Sequence, residues 1–163
     1  MNGSLDIRPA SRSDCAALVK LMRAQFREHH IRLSGDVIAH VIDGALRRPA
    51  WARLLVATSG GKLVGFAALS FMWTYEHGGR SAWLDELYVK PAHRDRGIGR
   101  KLLQAAYRVA AKAGAAALDL EVDAGHRDAE RLYAREGFHA LGRRRWSRHL
   151  QRGPAVRASR RPR

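Results

Sequence analysis

The sequence predicts a single mixed α/β domain, with a mostly antiparallel central sheet and helices packed on its faces. At 163 residues, 46% of them apolar, the chain is long enough to form one sizeable hydrophobic core. Two apolar runs at 51–58 and 62–73 flank the turn Ser59-Gly60-Gly61 and predict an antiparallel hairpin. Helical and extended patterns alternate further along the chain, which is typical of strand–helix–strand units. These observations predict the element order βααβββαβαβ.

The first part of the chain predicts one strand and two helices ahead of the hairpin. Residues 5–8 alternate in polarity as a half-buried strand does, and a proline ends them. Apolar residues then recur at helical spacing over 17–26, after Ser11 or Ser13 as the helix cap. The second helix covers 34–47 and also ends before a proline.

The second part follows a polar break at 76–80 and predicts alternating strands and helices. The elements are a strand at 83–89, a loop at 91–97, a helix at 99–113, a strand at 116–122, a helix at 128–136, and closing strands at 138–141 and 144–150. Gly114 and Gly137 follow the two helices and are expected to end them, because glycine readily adopts the left-handed conformation found there.

The charge of the chain is strongly positive and unevenly distributed. Thirty lysines and arginines against fifteen acids give a net charge of +15. Five arginines and no acid fall within 151–163, so residues 1–150 carry +10. We expect 1–150 to form the domain and 151–163 to be a disordered basic tail, which either attracts a polyanion loosely or only keeps the chain soluble. No aromatic residue stands between the tail arginines, so the sequence disfavours nucleic-acid binding.

Cysteine and histidine content and hydropathy limit the class of protein further. The single cysteine, Cys15, excludes an internal disulfide and is typical of a reducing compartment. No charge-free run approaches the roughly 20 residues of a membrane helix, and residues 1–8 have no apolar signal core. The eight histidines, including the pair His29-His30, show no metal-ligand spacing. We therefore expect a cytoplasmic protein that uses neither a membrane nor a metal ion.

The most informative segment is the strand–loop–helix element over 84–102. Gly97 and Gly99 stand where the helix opens, and glycine there lets the backbone approach a ligand closely. The helix N-terminus adds unpaired N–H groups and the positive end of the helix dipole, a combination typical of phosphate binding. A P-loop is excluded because no Gly-Lys-Ser/Thr follows, and Leu102 replaces the third glycine of a dinucleotide fingerprint. Four basic residues add charge for the same anion: Arg94, Arg96, Arg100 and Lys101.

Two blocks of the sequence resemble the GNAT superfamily of acyl-CoA-dependent N-acyltransferases. The cofactor motif of that family is Arg or Gln, two residues, Gly, one residue, then Gly or Ala, and Arg94-Asp95-Arg96-Gly97-Ile98-Gly99 matches it in full. Leu87-Tyr88-Val89 matches the strand that leads into the motif. The second block, an Ala followed by Leu-Tyr and Gly-Phe, is matched by Ala129-Glu130-Arg131-Leu132-Tyr133-Ala134-Arg135-Glu136-Gly137-Phe138. The resemblance covers roughly residues 5–150.

The resemblance implies a GNAT-like sheet with helices on both faces and a strand pair that splays apart to form a cleft for acetyl-CoA. The strand of 116–122 would diverge from that of 83–89. The backbone amides that would bind the pyrophosphate belong to Arg94, Asp95, Arg96, Gly97, Ile98, Gly99 and Arg100. Leu87, Tyr88 and Val89 would bind the pantetheine arm and lend a backbone N–H to the thioester oxygen. Transfer would be direct, with both substrates bound together.

Three residues are candidates for the chemistry of transfer. An amine is mostly protonated at neutral pH, so a base must take its proton, and Glu86 is the first candidate and Asp85 the second. Strand alternation sends these neighbours to opposite faces, so we expect only one of them to enter the cleft. By its resemblance to the family's catalytic tyrosine, Tyr133 would protonate the departing thiolate, although its helical spacing also fits a packing residue. His126 stands where the family often has an asparagine that contacts pantetheine.

The amine acceptor is expected to be small and cationic, either polyamine-like or aminoglycoside-like. Four aromatic residues would wall its pocket, and three acids would attract the cation: Phe71, Trp73, Tyr75 and Trp83, with Glu76, Asp85 and Glu86. The alternatives are a protein lysine or N-terminus as the acceptor, or a GNAT-fold module that binds CoA without turnover. The resemblance also implies a homodimer.

Overall fold

The computed structural model describes residues 4–123, 125–148 and 150. Its sheet has five strands in the order of the sequence: β1 (Leu5–Pro9), β2 (Ala52–Ser59), β3 (Lys62–Thr74), β4 (Gly79–Val89) and β5 (Leu118–Leu120). The first three pairings are antiparallel, and β4 pairs with β5 in parallel. The predicted mixed, mostly antiparallel sheet is therefore confirmed.

Among the described residues, four helices accompany the sheet: α1 (Cys15–Glu28), α2 (Gly35–Arg47), α3 (Ile98–Lys112) and α4 (Arg127–Arg135). Single 3-10 turns at Arg12–Asp14 and Pro91–His93 precede α1 and α3. The Ser34 hydroxyl caps α2 by accepting a hydrogen bond from the Val37 N–H, at 3.2 Å. Among the described helices none is long and apolar enough to cross a membrane.

The start of α1 differs from the predicted serine cap. The Asp14 carboxylate accepts a hydrogen bond from the Ser11 N–H at 2.8 Å and two from the Arg8 guanidinium at 2.7 and 2.9 Å. The pKa of Asp14 is consequently held far below its usual range, chiefly by Arg8. This buried carboxylate ties the end of β1 to the start of α1.

The sheet has a hydrophobic cluster on each face, because neighbouring strand residues point to opposite sides. Phe66 faces α1 and α2, whereas Ala67 faces α3. Core residues of the first cluster include Leu18, Leu21, Ile38, Ile42, Val56 and Tyr88, and those of the second include Leu55, Val64, Leu69, Leu102, Leu103 and Ala106. Helices therefore cover both faces, as expected.

The hairpin between β3 and β4 is longer than predicted, and β5 is shorter. The pairing of β3 with β4 extends to Thr74 and Gly79, so the polar break is a tight turn between two strands. Gly78 and Gly79 adopt φ values of 71° and 149°, which this turn requires. β5 keeps only three of the seven residues predicted at 116–122.

The two predicted closing strands are wrong. No strand is present among the described residues of 138–141 and 144–150, where His149 is not described. Phe138 still packs against the core, but Leu141 and Trp146 beyond it are 54% and 89% exposed. Arg143 and Arg145 pair with the carboxylates of Glu76 and Glu121, each at 2.6 Å. The predicted basic tail, 151–163, lies outside the described residues, so the division at residue 150 stays a prediction.

Replacing Gly65 with alanine is expected to lower the free energy of unfolding by about 1–3 kcal/mol, as overpacking a core does. A Cβ there would stand 2.7 Å from the Tyr88 carbonyl oxygen and 3.2 Å from Leu102 Cδ1. The matched control is Gly44→Ala in α2, where the nearest atom is Arg48 Nη1 at 3.8 Å. It should stabilise the helix by about 0.5–1 kcal/mol. Equal shifts of both variants in urea unfolding would contradict the close contact.

Candidate active site

A cleft opens where β4 and β5 part. The two strands pair at Ala82–Leu118, Trp83–Asp119 and Leu84–Leu120, and β5 then ends. Residues 85–89 of β4 therefore have no strand on that side, and a cavity of about 1290 Å³ occupies the gap. Its walls come from β4, the inner face of α1, the start of α3, the residues after β5, and α4.

A β-bulge in β4 lies at the mouth of this gap. Ala68 is opposite Glu86 while its neighbour Leu69 is opposite Leu84, so Asp85 is the additional residue. The bulge interrupts strict alternation, and both Asp85 and Glu86 line the cleft. The expectation that only one of the two would enter is therefore wrong, because it assumed a regular strand.

Glu86 is half-buried and has the pKa of a group that changes protonation near neutrality. Burial and the negative charge of Asp85 raise its pKa to about 7, although the charge of His29 and a hydrogen bond from Gln25 oppose the shift. The Gln25 Nε2 group donates that bond to Glu86 Oε2 at 2.5 Å.

Gln25 was missed by the sequence reasoning, although a signal was present. It continues the apolar face of α1 formed by Leu18, Leu21 and Met22, and only 4% of it is exposed. A polar side chain at such a position needs a buried partner. The partner, Glu86, lies 61 residues away along the chain, so only the fold identifies it.

Asp85 lies beside Glu86 on the open wall of the cleft. Desolvation raises its pKa, whereas a hydrogen bond from Ser70 and the charge of Arg145 lower it. The Arg145 guanidinium also lies 5.3 Å from the centre of the Trp83 ring and donates to Glu121 at 2.6 Å. Desolvation outweighs the effects of Ser70 and Arg145, so the net shift of the Asp85 pKa is upward.

Tyr133 faces the cleft from α4. Its ring packs edge-on against Phe138, with 5.9 Å between the ring centres. Burial, and then the negative charge of Glu86, raise the pKa of the hydroxyl above its ordinary value of 10. Tyr133 therefore keeps its proton at neutral pH and is a hydrogen-bond donor in the cleft.

The glycine loop leads into α3 at the far end of the cleft. Gly97 has a φ of 74°, and nothing lies within 4 Å of the position where a Cβ would stand. The first backbone bond of the helix runs from the Lys101 N–H to the Gly97 carbonyl at 3.0 Å. The N–H groups of Ile98, Gly99 and Arg100 consequently have no acceptor within the helix. They are therefore available to donate hydrogen bonds to a ligand.

The basic residues around this loop are placed differently from one another. The Arg94 guanidinium donates to the Val89 carbonyl at 2.9 Å and to Glu28 at 2.8 and 3.1 Å, and it lies 5.5 Å from the centre of the Tyr88 ring. Arg100 is directed towards Glu136, at 2.5 Å. Arg94, Asp95, Gly97, Ile98, Gly99 and Arg100 line the cleft, whereas Arg96 is exposed outside its lining.

Glu28 is a second residue that the sequence reasoning missed. Burial would raise its pKa, but hydrogen bonds from Arg94 and from the Tyr88 hydroxyl outweigh burial and lower it. Glu28 thus remains ionised and connects α1 to the loop before α3. Its signal in the sequence was weak, because it lies on a helix far from any motif.

The remaining predicted cofactor residues line the cleft in different ways. Leu87 and Val89 pack towards α3, and the Tyr88 side chain is buried on the opposite face against α1. Their backbone faces the gap, since no strand pairs there. His126 precedes α4, is exposed, and donates its backbone N–H to the Asp123 carbonyl at 3.1 Å.

The predicted aromatic wall is not assembled. Of its four residues, all of them described, Trp83 alone lines the cleft. Phe71 is buried in the core beneath Arg80, and Trp73 and Tyr75 are 74% and 95% exposed. The long hairpin carries these residues beyond the cleft, and with them Glu76, which pairs with Arg143 at 2.6 Å.

One set of side chains outside the cleft lining comes close enough together to hold a cation. Oxygen and nitrogen atoms of Glu76, His77 and Asp119 lie within 4.8 Å of one another. Each already has a protein partner, because Arg143 pairs with Glu76 and the His77 ring lies 2.8 Å from Asp119. The expectation that no metal is used stays a prediction.

The chain is similar to known acetyltransferases over most of its length. The model of the acetyltransferase (GNAT) family matches residues 15–138. An uncharacterized N-acetyltransferase of Bacillus subtilis (strain 168), YhfO, is 31% identical over 134 residues, which cover 82% of this chain and 89% of the relative. The thialysine N-epsilon-acetyltransferase of Mus musculus is 29% identical over 144 residues, covering 80% of this chain and 81% of the relative.

The fold is also similar to a solved structure that contains CoA. The aminoglycoside N-acetyltransferase AAC(6')-Iy in complex with CoA superposes with a TM-score of 0.80 over 91% of this chain and 97% of that one. The two sequences are 19% identical, so this likeness concerns the fold.

The pKa of Glu86 is expected to fall when Asp85 is replaced with asparagine, because a neighbouring negative charge is removed. Carboxyl-carbon NMR titration of glutamate-labelled protein should place the Glu86 transition near pH 7 in the unaltered protein. The exposed α4 residue Glu130 supplies the control, since Glu130→Gln should leave the Glu86 transition where it is. A rise, or no change, in the Asp85→Asn variant would contradict the coupling.

Proposed function

This chain belongs to the acetyltransferase (GNAT) family and is an acetyl-CoA-dependent N-acetyltransferase, and we propose that its acceptor is a small cationic primary amine. The observation that carries the proposal is the sign of the charge where β4 and β5 part. Asp85 and Glu121 directly follow the last paired residues, and Glu86 adjoins them. In a chain of net charge +15, such an acidic end attracts a cation.

The residues at the other end of the cleft fit the anionic part of acetyl-CoA. The free N–H groups of Ile98, Gly99 and Arg100 offer a pyrophosphate the donors that helix N-termini provide elsewhere. The unpaired backbone edge of 87–89 offers hydrogen bonds to an extended, amide-containing arm. Acetyl-CoA supplies an activated acetyl thioester when it binds. Its position along this edge would bring the acetyl group to the acidic end.

Glu86 is the proposed base. A pKa of about 7 allows the carboxylate to take a proton at neutral pH and to release it to solvent afterwards. The proton that Glu86 receives leaves the ammonium nitrogen and frees its lone pair for attack on the thioester carbon. A backbone N–H of the β4 edge would stabilise the oxygen on which negative charge develops.

Tyr133 is the proposed acid. The carbon–sulfur bond breaks as the amide bond forms, and the sulfur leaves with the electron pair. The Tyr133 hydroxyl keeps its proton because burial raises its pKa, so it can donate that proton to the thiolate. The proton lost by the newly bonded nitrogen restores the hydroxyl. Atoms and charges balance without a metal or an oxidant.

The named activities of similar proteins support a small amine as the acceptor. One relative is a thialysine N-epsilon-acetyltransferase, and the CoA-bound structure of similar fold is an aminoglycoside N-acetyltransferase. Both names specify an amino group on a small molecule. The identity of the acceptor of this chain is part of the proposal.

An acidic peptide is the second candidate acceptor, and one observation favours it. A pocket of about 310 Å³ at the connection from α1 to α2 adjoins the cleft through Ile31, which lines both. Arg23, Arg27 and Arg32 line this pocket, and none takes part in an ion pair of the described residues. Acidic residues close to the acetylated lysine of a peptide would bind to the arginines of this pocket.

Tyr133→Phe is expected to lower kcat by about 10²–10³, because a general acid contributes of this order, while the acetyl-CoA Kd stays unchanged. Stopped-flow detection of released thiol measures kcat, and calorimetry measures Kd. The control is Tyr107→Phe on α3, where the side chain is 62% exposed and outside the cleft lining. Equal kcat values for the two variants would remove Tyr133 from the mechanism.

Thiol release in the presence of acetyl-CoA and a panel of acceptors tests the acceptor class. Polyamines and aminoglycosides should give kcat/KM values at least about tenfold above those of acidic lysine peptides. The reverse order, abolished by Arg27→Gln, would establish the peptide candidate. Tight acetyl-CoA binding without turnover on any amine would instead indicate a module that binds CoA without catalysis.

A further inference from the structure

One buried side chain in the cleft has an unused hydrogen-bonding atom. Gln25 is 4% exposed, lies on the inner face of α1, and lines the cleft. Its Oε1 atom is buried and accepts no hydrogen bond from the described residues. An unpaired amide oxygen at such a depth is costly, so its retention in a folded site points to a ligand group that completes it.

The contact with Glu86 fixes the direction of the amide. Nε2 donates to Glu86 Oε2 at 2.5 Å, and a carboxylate can only accept. Turning the amide around would place Oε1 against that negative oxygen. While Glu86 is ionised, Oε1 therefore faces away from it, and this buried atom stays without a partner in the wall of the cleft.

We infer that Gln25 binds the acceptor nitrogen: its Nε2 holds Glu86, and its Oε1 accepts a second N–H of the same ammonium group. This inference rests on the proposed function, in which Glu86 takes one proton from that group. A primary ammonium has three N–H donors, so it can bond to Glu86 and to Gln25 at once. With one contact to Glu86 and one to Gln25, the nitrogen can move only by rotation about the axis through those two acceptor atoms. This restriction orients the lone pair that deprotonation exposes.

The charged and titratable groups around Glu86 determine how its pKa would change if the Gln25 hydrogen-bond donor were removed. Asp85 on β4 raises the pKa of Glu86, His29 just after the end of α1 lowers it, and Tyr133 faces it from α4 as a neutral hydroxyl. The Gln25 hydrogen bond also lowers that pKa. Loss of the donor would consequently raise the pKa, and the acid limb of the activity profile would move to higher pH.

Gln25→Met tests the inference, because methionine fills a similar volume and has no amide. We expect the acid limb of kcat/KM to move up by about one pH unit and KM for the amine to rise about tenfold above that limb. The acetyl-CoA Kd should not change. Gln104→Met is the matched control: Gln104 itself does not line the cleft, its amide donates to Glu136 at 3.1 Å and not to Glu86, and its loss should leave both quantities unaltered.

The outcomes separate the two levels of the proposal. If Gln25→Met moves the acid limb of kcat/KM but leaves the amine KM unchanged, the contact between Oε1 and the acceptor nitrogen is overturned. If neither quantity changes, the effect of Gln25 on Glu86 and its contact with the acceptor are both overturned. Glu86→Gln is measured in parallel. If the limb persists in Glu86→Gln, the base assignment of the proposed function has failed; if it disappears while the Gln25→Met profile is unmoved, only the Gln25 inference has failed.

A measurement on the unaltered protein covers the case in which Gln25→Met does not fold. With 13C- and 15N-labelled glutamine, the side-chain carbonyl resonance of Gln25 should shift when a saturating primary amine is added to the CoA-bound protein. Addition of CoA alone should leave it nearly unmoved. A resonance that does not respond to the amine overturns the inference.

Discussion

The parallel pairing of β4 with β5 lasts for three residue pairs, and the whole candidate site depends on where it stops. Past Leu84 and Leu120 the sheet has a gap, so the backbone of 85–89 keeps hydrogen-bonding groups that a complete sheet would use. The bulge at Asp85 lies at this point and turns both carboxylates of the acidic pair into the opening. One change of pairing therefore produces the cleft, its unpaired backbone edge and its acidic pair.

The end of the cleft proposed for acetyl-CoA offers main-chain N–H groups rather than free side chains. The first N–H groups of α3 and the free edge of β4 are both donors left without partners by secondary structure. Gly97 is required because its φ of 74° lets the chain enter the helix there, and the absence of a Cβ keeps the approach open. Two arginine side chains near the loop already form ion pairs within the protein, Arg94 with Glu28 and Arg100 with Glu136. Ligand binding at this end must therefore compete only with water for the amides, but with carboxylates for the arginines.

The sequence predicts those parts of the protein that depend on local pattern. The hairpin, the helices and the glycine loop follow from periodicity, capping and turn residues, and each is present. The β4 bulge could not be predicted, because it is defined by the register against β3 and not by the residues of β4. Likewise, the strands predicted at 138–141 and 144–150 are absent from the described residues, where the chain does not pair with the open edge of β5 and leaves Leu141 and Trp146 exposed. The inner-face position of Gln25 was visible in the sequence, but its meaning depends on Glu86, 61 residues away.

Burial of Glu86 beside Asp85 destabilises its charged form and, by doing so, raises its pKa into the range that the proposed reaction needs. A half-buried carboxylate beside a second carboxylate is unfavourable in its charged form, and this is why the pKa of Glu86 rises to about 7. A group with that pKa is neither too weak a base to accept a proton nor too strong to release one at neutral pH. A cationic acceptor reduces the same electrostatic cost when it binds, because it brings an opposite charge to Asp85 and Glu86. The charges that are unfavourable without a ligand are thus the ones that would favour the proposed cationic substrate, and Gln25 limits their cost by keeping Glu86 hydrogen-bonded.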